Sequence, residues 1–258
     1  MGCLHEGHLK LVRRAREYGS KVVVSIFVNP LQFGPTDDFE RYPRTFLEDT
    51  EKLEAEGVDL CFHPDMREMY APNFCTQITV AGLDKHLCGK FRVGHFQGVA
   101  TVCQKLFQIT QADYSVFGEK DFQQLRILQQ MVEDLNLPMR IVPHETVREA
   151  DGLALSSRNR FLSSEDRALA ARVPTALQAV RVFALANPQG AVGEAIQAGL
   201  SLFEASLIEV EYLDLASTRD LTPAACNSKI AEIPQPRIFT AVRIGKTRLI
   251  DNVSLSET

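Results

Sequence analysis

Lys21-Val-Val-Val-Ser-Ile-Phe-Val28 is a nearly continuous run of apolar, largely β-branched residues, followed directly by Asn29-Pro30-Leu31-Gln32-Phe33-Gly34. Such a run predicts a strand that is covered on both faces, as the strands of a parallel sheet are. Pro30 and Gly34 end regular structure, so the strand should pass into a loop at its carboxyl end. The stretch therefore predicts an α/β protein in which the loops after strands are candidate ligand sites.

The alternation of strand and helix continues through the first 146 residues. Further strands are predicted at residues 58–62, 77–80, 114–117 and 139–142, with helices starting near Leu9, Thr45, Gly94 and Phe122. Strands that alternate with helices at these lengths predict a doubly wound, parallel, Rossmann-like sheet. Asn29, Gly118 and Arg148 all follow predicted strands, and ligands in such sheets lie beyond the carboxyl ends of the strands.

The pattern changes after residue 146. Residues 147–258 contain a polar, compact stretch, helices starting near Ser163 and Val192, the second of them running to about Ala205, and three alternating strands at 208–215, 237–244 and 248–253. We therefore expect two domains, a Rossmann-like domain over residues 1–146 and a smaller α+β domain over residues 147–258.

The composition is that of an ordinary globular protein, with 258 residues, 45% of them hydrophobic, and a net charge of −5. No basic stripe is present, so nucleic acid is not an expected partner. No apolar run approaches the roughly 20 residues that span a bilayer, so a membrane is not expected either. The six cysteines have no CxxC spacing, which predicts reduced thiols in a cytoplasmic protein.

Two histidines, His5 and His8, stand three residues apart in Met1-Gly2-Cys3-Leu4-His5-Glu6-Gly7-His8, directly before an amphipathic helix pattern. Residues three apart share a helix face, and the N–H groups of a helix start attract anions. Two imidazoles beside those groups suit a phosphate. The alternatives are two surface histidines on a turn, or a zinc site from Cys3, His5 and His8, for which no second ligand cluster completes a tetrahedral set.

Other candidate sites follow the predicted strands. Gly118-Glu119-Lys120-Asp121 places a lysine at the start of a helix, which suits phosphate, although an ordinary turn with a solvated lysine has the same pattern. Ser156-Ser157-Arg158 supplies two hydroxyls and a guanidinium, or a surface cap. Gln32 and Gln124 offer neutral amides, and residues 92–96 are either an anion-binding loop or simply a basic one.

Seven stretches of the chain together resemble one family. They are residues 1–8, 27–33, 42–45, 94–99, 118–124, 151–159 and 248–252, which read MGCLHEGH, FVNPLQF, YPRT, GHFQGV, GEKDFQQ, DGLALSSRN and RLIDN. In this order they match the pattern of the pantoate–β-alanine ligase (pantothenate synthetase) family, within the nucleotidylyltransferase superfamily and its His-x-Gly-His signature. Chance agreement of seven ordered motifs is not credible, so the chain is identified as a member.

The resemblance implies ligation of (R)-pantoate and β-alanine to pantothenate through a pantoyl adenylate, with release of pyrophosphate and AMP. It implies ATP as co-substrate, Mg²⁺ bridging the phosphates, and a homodimer. Two alternatives stay open. One is another adenylyl transferase of the superfamily with a different acid, against which the two glutamines argue. The other is a nucleotide-binding remnant that has lost catalysis.

The resemblance also implies roles for individual residues. His5, His8 and Lys120 are the implied catalytic residues, with His8 as proton donor. The implied ATP contacts are Met1, Gly2, Cys3, Leu4, His5, Glu6, Gly7, His8, Gly118, Glu119, Lys120, Asp121, Val147, Leu155, Ser156, Ser157 and Arg158. The implied contacts for pantoate and β-alanine are Asn29, Gln32, Arg92, His95 and Gln124. Asp49 is the implied protein contact to Mg²⁺.

The family pattern begins with a Pro-Thr, a strand and a helix that precede the Met-Gly of residues 1–2. In the usual strand order 3-2-1-4-5, that strand lies between residues 21–28 and 114–117. We therefore expect the first strand to be missing from this chain, and residues 21–28 to border a gap or an unsupported edge.

Overall fold

The structure, a computed structural model, describes residues 1–35, 39–203 and 207–255, so the predicted helix end at Ala205 lies outside the described residues. The helices are α1 Glu6–Arg16, α2 Phe46–Ala55, α3 Met66–Met69, α4 Cys88–Phe91, α5 His95–Thr110, α6 Phe122–Asp134, α7 Ser164–Ala170, α8 Arg172–Ala186 and α9 Val192–Leu200. The strands are β1 Val23–Ser25, β2 Leu60–Phe62, β3 Tyr114–Gly118, β4 Arg140–His144, β5 Ile208–Ser217, β6 Pro236–Ile244 and β7 Thr247–Ser254.

The chain forms two compact units. The first comprises Met1–Asp84, Arg92–Glu119 and Gln124–Thr146, and the second comprises Lys85–Phe91, Lys120–Gln123 and Val147–Thr258. Two short segments from the first 146 residues therefore belong to the second unit. One of them contains Lys120, which the sequence predicts as a phosphate-binding residue.

Parallel strand pairs form the sheets of the first unit. β1 pairs with β2 in the register Val23↔Leu60, and β3 pairs with β4 in the register Tyr114↔Arg140. The α/β class with parallel strands is therefore confirmed. The described strands of this unit make two sheets of two strands each in place of one continuous sheet.

The second edge of β1 is partly occupied by Met1. The N–H of Ile26 donates to Phe62, which follows the side of β1 that faces β2. Ser25 and Phe27 alternate with Ile26 and use the opposite side. There, the amino group of Met1 donates to the Ser25 carbonyl at 2.8 Å, and the Phe27 N–H donates to the Met1 carbonyl. The edge that the sequence predicts as unsupported is thus covered over a short length by the chain's own first residue.

Two apolar clusters stabilise the first unit. One joins α1 and the first sheet and includes Leu4, Val24 and Leu53, while the other lies around α5 and α6. The prediction of a strand at residues 77–80 is wrong. The N–H of Ile78 donates to the hydroxyl of Thr101 on α5 at 3.0 Å, so a helix side chain takes the place of a neighbouring strand.

An antiparallel sheet with strand order β5-β6-β7 forms the centre of the second unit. The pairing of β5 with β6 shifts register between Val210 and Tyr212. Helices α7, α8 and α9 contribute to one apolar core with this sheet. The predicted small α+β arrangement after the parallel strands is confirmed.

The helical stretch Ser164–Ala186 is long and apolar enough, by length and composition alone, to cross a membrane. This differs from the expectation that no apolar run reaches that length. Val173, Leu177 and Val180 of α8 are buried in the core of the second unit. The apolar character of the stretch therefore has an explanation in packing, since a core helix passes the same test.

Candidate active site

His5 and His8 form a stacked pair at the start of α1. Their ring centroids are 4.0 Å apart and their planes differ by 28°. His5 is the extended residue just before the helix, and its main-chain N–H donates to Nδ1 of His8 at 3.3 Å. Because Nδ1 of His8 accepts, the ring proton of neutral His8 is assigned to Nε2. Nε2 is therefore the ring atom of neutral His8 that acts as a donor.

The turn that precedes the histidines is held by Asp49 of α2. The Asp49 carboxylate is fully buried, and its two oxygens accept the main-chain N–H groups of Cys3 and Leu4, each at 2.7 Å. Lys52, one turn further along α2, donates to the Leu4 carbonyl at 2.9 Å. Cys3 itself has a φ of 52°, a left-handed conformation that side chains rarely adopt, and these contacts fix it there.

The structure does not support the predicted contact of Asp49 with Mg²⁺. Its oxygens are directed to main-chain N–H groups in a buried position, where a hydrated cation has no access. Within the described residues, no group of three or more histidine, cysteine, aspartate or glutamate side chains is arranged to hold a metal ion. Glu6, predicted as an ATP contact, is exposed and pairs with Arg13.

Asn29 holds the short 3₁₀ turn Pro30–Gln32 that follows β1. Its Nδ2 donates to Oε1 of Gln32 at 3.2 Å and to the Gly98 carbonyl at 3.0 Å. Its Oδ1 accepts from the Leu31 N–H and from the Tyr70 hydroxyl. Burial raises the pKa of Tyr70, so that hydroxyl remains a donor at neutral pH. Both donors and both acceptor positions of Asn29 are used within the protein, which does not support a direct contact with substrate.

Arg92 and His95 meet at the main chain of Gln32. Nδ1 of His95 lies 2.7 Å from the Gln32 carbonyl, and Arg92 donates to the same oxygen at 3.3 Å. Nε2 of His95 lies 3.0 Å from the Arg92 guanidinium. Since Arg92 only donates, Nε2 of His95 accepts and Nδ1–H donates. Arg92 and His95, both predicted to contact substrate, thus hold the main chain of Gln32. The side-chain amide of Gln32 is itself a candidate substrate contact.

Gly98 permits the close approach of α5 to the same turn. A Cβ built on Gly98 would lie 2.1 Å from the Leu31 carbonyl oxygen and 2.6 Å from the Gln32 nitrogen. Any side chain at this position would push the turn away. Gly98 belongs to a sequence motif quoted above, but its role depends on a long-range contact that spacing does not show.

The end of β3 provides a different kind of glycine. Gly118 is the last residue of β3, and a Cβ built there meets nothing within 4 Å. A planar ligand can approach the backbone closely at such a position. Glu119 follows in the first unit, and the half-buried Gln124 lies in the first turn of α6.

The second unit contains the remaining predicted phosphate contacts. Lys120 has a side chain that is 21% exposed, with its Nζ 3.7 Å from the Asp121 carboxylate. Val147 and Leu155 face each other in a hairpin, in which the Leu155 N–H donates to the Val147 carbonyl. Ser156 caps the following 3₁₀ turn, accepting the Arg158 N–H at 3.2 Å, and Ser157 is buried within it. The hairpin thereby sets Ser156, Ser157 and Arg158 in one compact turn.

Comparison with known proteins decides the family. The sequence model described as Pantoate-beta-alanine ligase matches residues 1–254. The chain belongs to the pantoate–β-alanine ligase family. Curated pantothenate synthetases from Thermotoga petrophila and Chromobacterium violaceum are 45% and 48% identical to it, each over 99% of this chain and 89% and 90% of their own lengths.

Solved pantoate–β-alanine ligases have the same fold. A crystal structure from Thermus thermophilus matches with a TM-score of 0.93 at 45% identity, covering 100% of this chain and 91% of that one. The enzyme from Francisella tularensis, solved in complex with β,γ-ATP and β-alanine, matches with a TM-score of 0.80 at 32% identity, covering 100% and 88%.

Three buried polar residues of this ligase chain were not predicted as site residues. Asp251 and Asn252 lie on β7 and Arg237 lies on β6, and each is at most 9% exposed. Asn252 donates to the main-chain carbonyl of Lys120 at 2.9 Å. The sequence signal was available, because an Asp-Asn pair at a buried position of a strand needs polar partners. The identity of those partners required the structure.

Proposed function

We propose roles for the residues above in the reaction of this chain, which is an ATP-dependent pantoate–β-alanine ligase. A carboxylate oxygen of pantoate attacks the α-phosphorus of ATP, and the bond to pyrophosphate breaks. The amine of β-alanine then attacks the acyl carbon of pantoyl adenylate, loses a proton and displaces AMP. The observation that carries the proposal is the His5–His8 pair at the start of α1, in a chain that matches the family over residues 1–254.

His5 and His8 act on the α-phosphate in this proposal. The first step gathers negative charge on the phosphate oxygens and on the leaving pyrophosphate. Donors that are already oriented stabilise that charge without reorganising during the step. The Nε2–H of His8 donates to the leaving or bridging oxygen, and the start of α1 adds the positive end of the helix dipole. The Met1–Leu4 turn, fixed by Asp49, lines the nucleotide site.

Pantoate is held by the side-chain amides of Gln32 and Gln124. Because Asn29 donates to Oε1 of Gln32, the Nε2 of Gln32 is the end that donates to the pantoate carboxylate or hydroxyl. A neutral amide binds the attacking carboxylate without the strong ion pair that would lower its nucleophilicity. Arg92 and His95 contribute to substrate binding by fixing the main chain of Gln32.

The triphosphate is held by Lys120, Ser156, Ser157 and Arg158, through a point charge, two hydroxyls and a guanidinium fork. We assign adenine and ribose binding to Gly118, where the absence of a Cβ leaves open space, and, from the resemblance to the family, to Val147 and Leu155. Mg²⁺ would be held by the phosphate oxygens of ATP and would offset their negative charge. Among the described residues no group of three or more histidine, cysteine, aspartate or glutamate side chains could hold the ion, and both Asp49 oxygens accept main-chain N–H groups, so we assign the ion no ligand from this chain.

A homodimer in the cytoplasm completes the proposal. The dimer rests on resemblance to the family alone. The location is supported by the six cysteines, all of which are free thiols and all of which lie in the described residues.

The decisive experiment follows AMP release by the purified chain with ATP, Mg²⁺, pantoate and β-alanine, and with each component omitted in turn. We expect AMP and pantothenate in equal amounts only in the complete mixture, and pyrophosphate release that requires pantoate. AMP formation from another acid, and not from pantoate, would contradict the proposed substrate.

A further inference from the structure

The segment that carries Lys120 is held by side chains from two strands of the second unit. Residues Lys120–Gln123 lie between β3 and α6 in the sequence but belong to the second unit. Nδ2 of Asn252 on β7 donates to the Lys120 carbonyl at 2.9 Å. The guanidinium of Arg237 on β6 lies 3.9 Å from the ring centroid of Phe122, two residues further on. The backbone on both sides of Asp121 is thus fixed.

Burial makes this arrangement specific. Asn252 is 3% exposed and Arg237 is 9% exposed, and Arg237 donates to Oδ1 of Asn252. A buried amide or guanidinium group that loses its hydrogen-bond partner lowers the free energy of unfolding. The network therefore has few alternative arrangements. The sheet itself does not need the Asn252 side chain, since its ladder is formed by main-chain groups. The side chain is therefore directed to the Lys120 segment.

The main chain of the same residue contacts the second phosphate segment. Arg148, at the base of the 147–155 hairpin, donates to the Asn252 carbonyl at 3.2 Å and to the Gly152 carbonyl at 2.9 Å. Arg148 also forms a two-pronged ion pair with the buried Asp251 carboxylate at 2.7 and 3.0 Å. Position 252 is thus bonded to the Lys120 segment and, through Arg148, to the hairpin that leads to Ser156.

We propose that Asn252 is a positioning residue for ATP, which acts by fixing the main chain of Lys120 relative to the Ser156–Arg158 turn. The proposal rests on the phosphate-binding role proposed above for Lys120. A lysine side chain is long and flexible, and a fixed main chain limits the positions that its ammonium group can reach. Donors to a triphosphate contribute most when their spacing is set before the ligand arrives. Asn252 supplies that constraint without touching ATP.

A double-mutant cycle between Asn252 and Lys120 tests this. Asn252→Asp keeps the size of the side chain and an oxygen for Arg237, but removes the N–H that donates to Lys120. We expect pantoyl adenylate formation in a single turnover to fall about 10-fold and the Kd of ATP to rise, as for other residues that orient a binding group. The Kd of pantoate should change less than about 2-fold. In a Lys120→Ala background, Asn252→Asp should cause little further loss.

Thr240→Val is the matched control. Thr240 is fully buried on β6, and its hydroxyl donates to the Tyr212 carbonyl at 2.9 Å, so the variant removes a similar buried bond in the same sheet. It should leave the Kd of ATP unchanged. Should Asn252→Asp not fold, Arg237→Lys keeps the positive charge but loses the planar stack on Phe122, and it should give the same ATP-selective loss.

The outcomes separate this proposal from the one on which it rests. If Lys120→Ala loses activity but Asn252→Asp costs the same factor with and without Lys120, Asn252 does not act through Lys120 and the positioning role is overturned. Equal rises in the Kd of ATP and of pantoate would also overturn it. If Lys120→Ala is fully active, the assignment of Lys120 fails first, and the positioning role fails with it.

Discussion

Nδ2 of Asn29 lies 3.2 Å from Oε1 of Gln32, and this contact determines which end of the Gln32 amide can serve a ligand. With Oε1 engaged, Nε2 is the donor that Gln32 presents. Asn29 is 2% exposed and also bonds to Gly98, Leu31 and Tyr70, so its own orientation is fixed. In the proposed site, the orientation of the Gln32 amide toward an acceptor on the substrate is thus set by Asn29, through a contact within the protein.

Asn29→Ala should therefore weaken pantoate binding without a comparable effect on ATP. Without Asn29, the Gln32 amide can flip and present its oxygen to the pantoate carboxylate. We expect the KM for pantoate to rise about 10-fold and that for ATP to change less than about 2-fold, measured by initial rates with the other substrates saturating. Tyr70→Phe is the control, since it removes one partner of Asn29 and keeps the contact with Gln32. Equal rises in both KM values would contradict this role.

Gly98→Ala and Gly118→Ala should have opposite consequences. A Cβ at Gly98 would lie 2.1 Å from the Leu31 carbonyl oxygen, so the turn must move, with a stability loss of about 1–3 kcal/mol and a raised KM for pantoate. A Cβ at Gly118 meets no atom within 4 Å, so the melting temperature should not change while the KM for ATP rises. Thermal unfolding and substrate titrations of both variants check this. A destabilised Gly118→Ala with normal ATP kinetics would contradict the assigned space for the nucleotide.

Local patterns were sufficient to predict much of the fold. The β-branched run at residues 21–28 contains β1, and the apolar spacing from Phe122 onward is that of α6, because strand and helix periodicity are written into the sequence itself. The prediction of a strand at residues 77–80 was wrong, because a contact with a residue distant in the sequence decides the structure there. The pattern there is strand-like, but the nearest partner for Ile78 is the hydroxyl of Thr101 rather than a strand.

The sequence proposes which residues form the site, whereas the structure shows how their polar atoms are used within the protein. Asp49, Asn29 and His95 were all selected from the sequence, and all three lie close to the expected segments. Their polar atoms, however, are directed to main-chain or side-chain groups of the protein. A motif identifies which residues a site requires, whereas the number of hydrogen bonds left for a ligand depends on long-range contacts.

Asp49→Asn tests the structural role assigned here to Asp49. The carboxylate accepts N–H groups from both Cys3 and Leu4, whereas an amide offers only one acceptor oxygen and places an NH₂ group against the other N–H. We expect a stability loss of about 1–3 kcal/mol in urea unfolding, because a buried donor is left unsatisfied. The Mg²⁺ concentration that gives half-maximal activity should stay the same. A strong shift of that concentration, with unchanged stability, would restore the metal role.

Asp59 should contribute to the acid limit of stability. The main-chain N–H of Val22, followed by Lys21 and Arg16, holds the pKa of Asp59 well below its usual value. A carboxyl whose pKa is lowered by folding stabilises the protein above its unfolded pKa of about 3.9, and this contribution is lost as the pH falls from there towards the folded pKa. Asp59→Asn should be less stable at pH 7 and should lose less of its stability below about pH 4 than the wild type.

The difference in acid sensitivity between the wild type and Asp59→Asn is measured by urea unfolding, in about six titrations between pH 2 and 7. Lys21→Gln is an intermediate case, since Arg16 and the Val22 N–H still face the carboxylate. Its acid sensitivity should lie between those of the wild type and Asp59→Asn. Parallel stability curves for the wild type and Asp59→Asn below pH 4 would show that the contacts of Asp59 are not responsible.

His8 has two functions that two substitutions can separate. Nδ1 accepts the His5 N–H and so stabilises the start of α1. Nε2–H is the donor to the α-phosphate in the proposed mechanism. His8→Ala removes both. His8→Asn keeps an acceptor near the position of Nδ1 but has no donor at the position of Nε2. We expect both variants to form pantoyl adenylate at least about 100-fold more slowly in a single turnover, the usual effect of losing one transition-state donor. Only His8→Ala should also lower the melting temperature.

Cys226→Ser, a change at an exposed thiol, is the control for both measurements. A near-normal rate for His8→Asn would show that His8 serves only to hold the helix start. The proton would then have to come from His5 or from solvent, and His5→Ala would become the variant that abolishes adenylation.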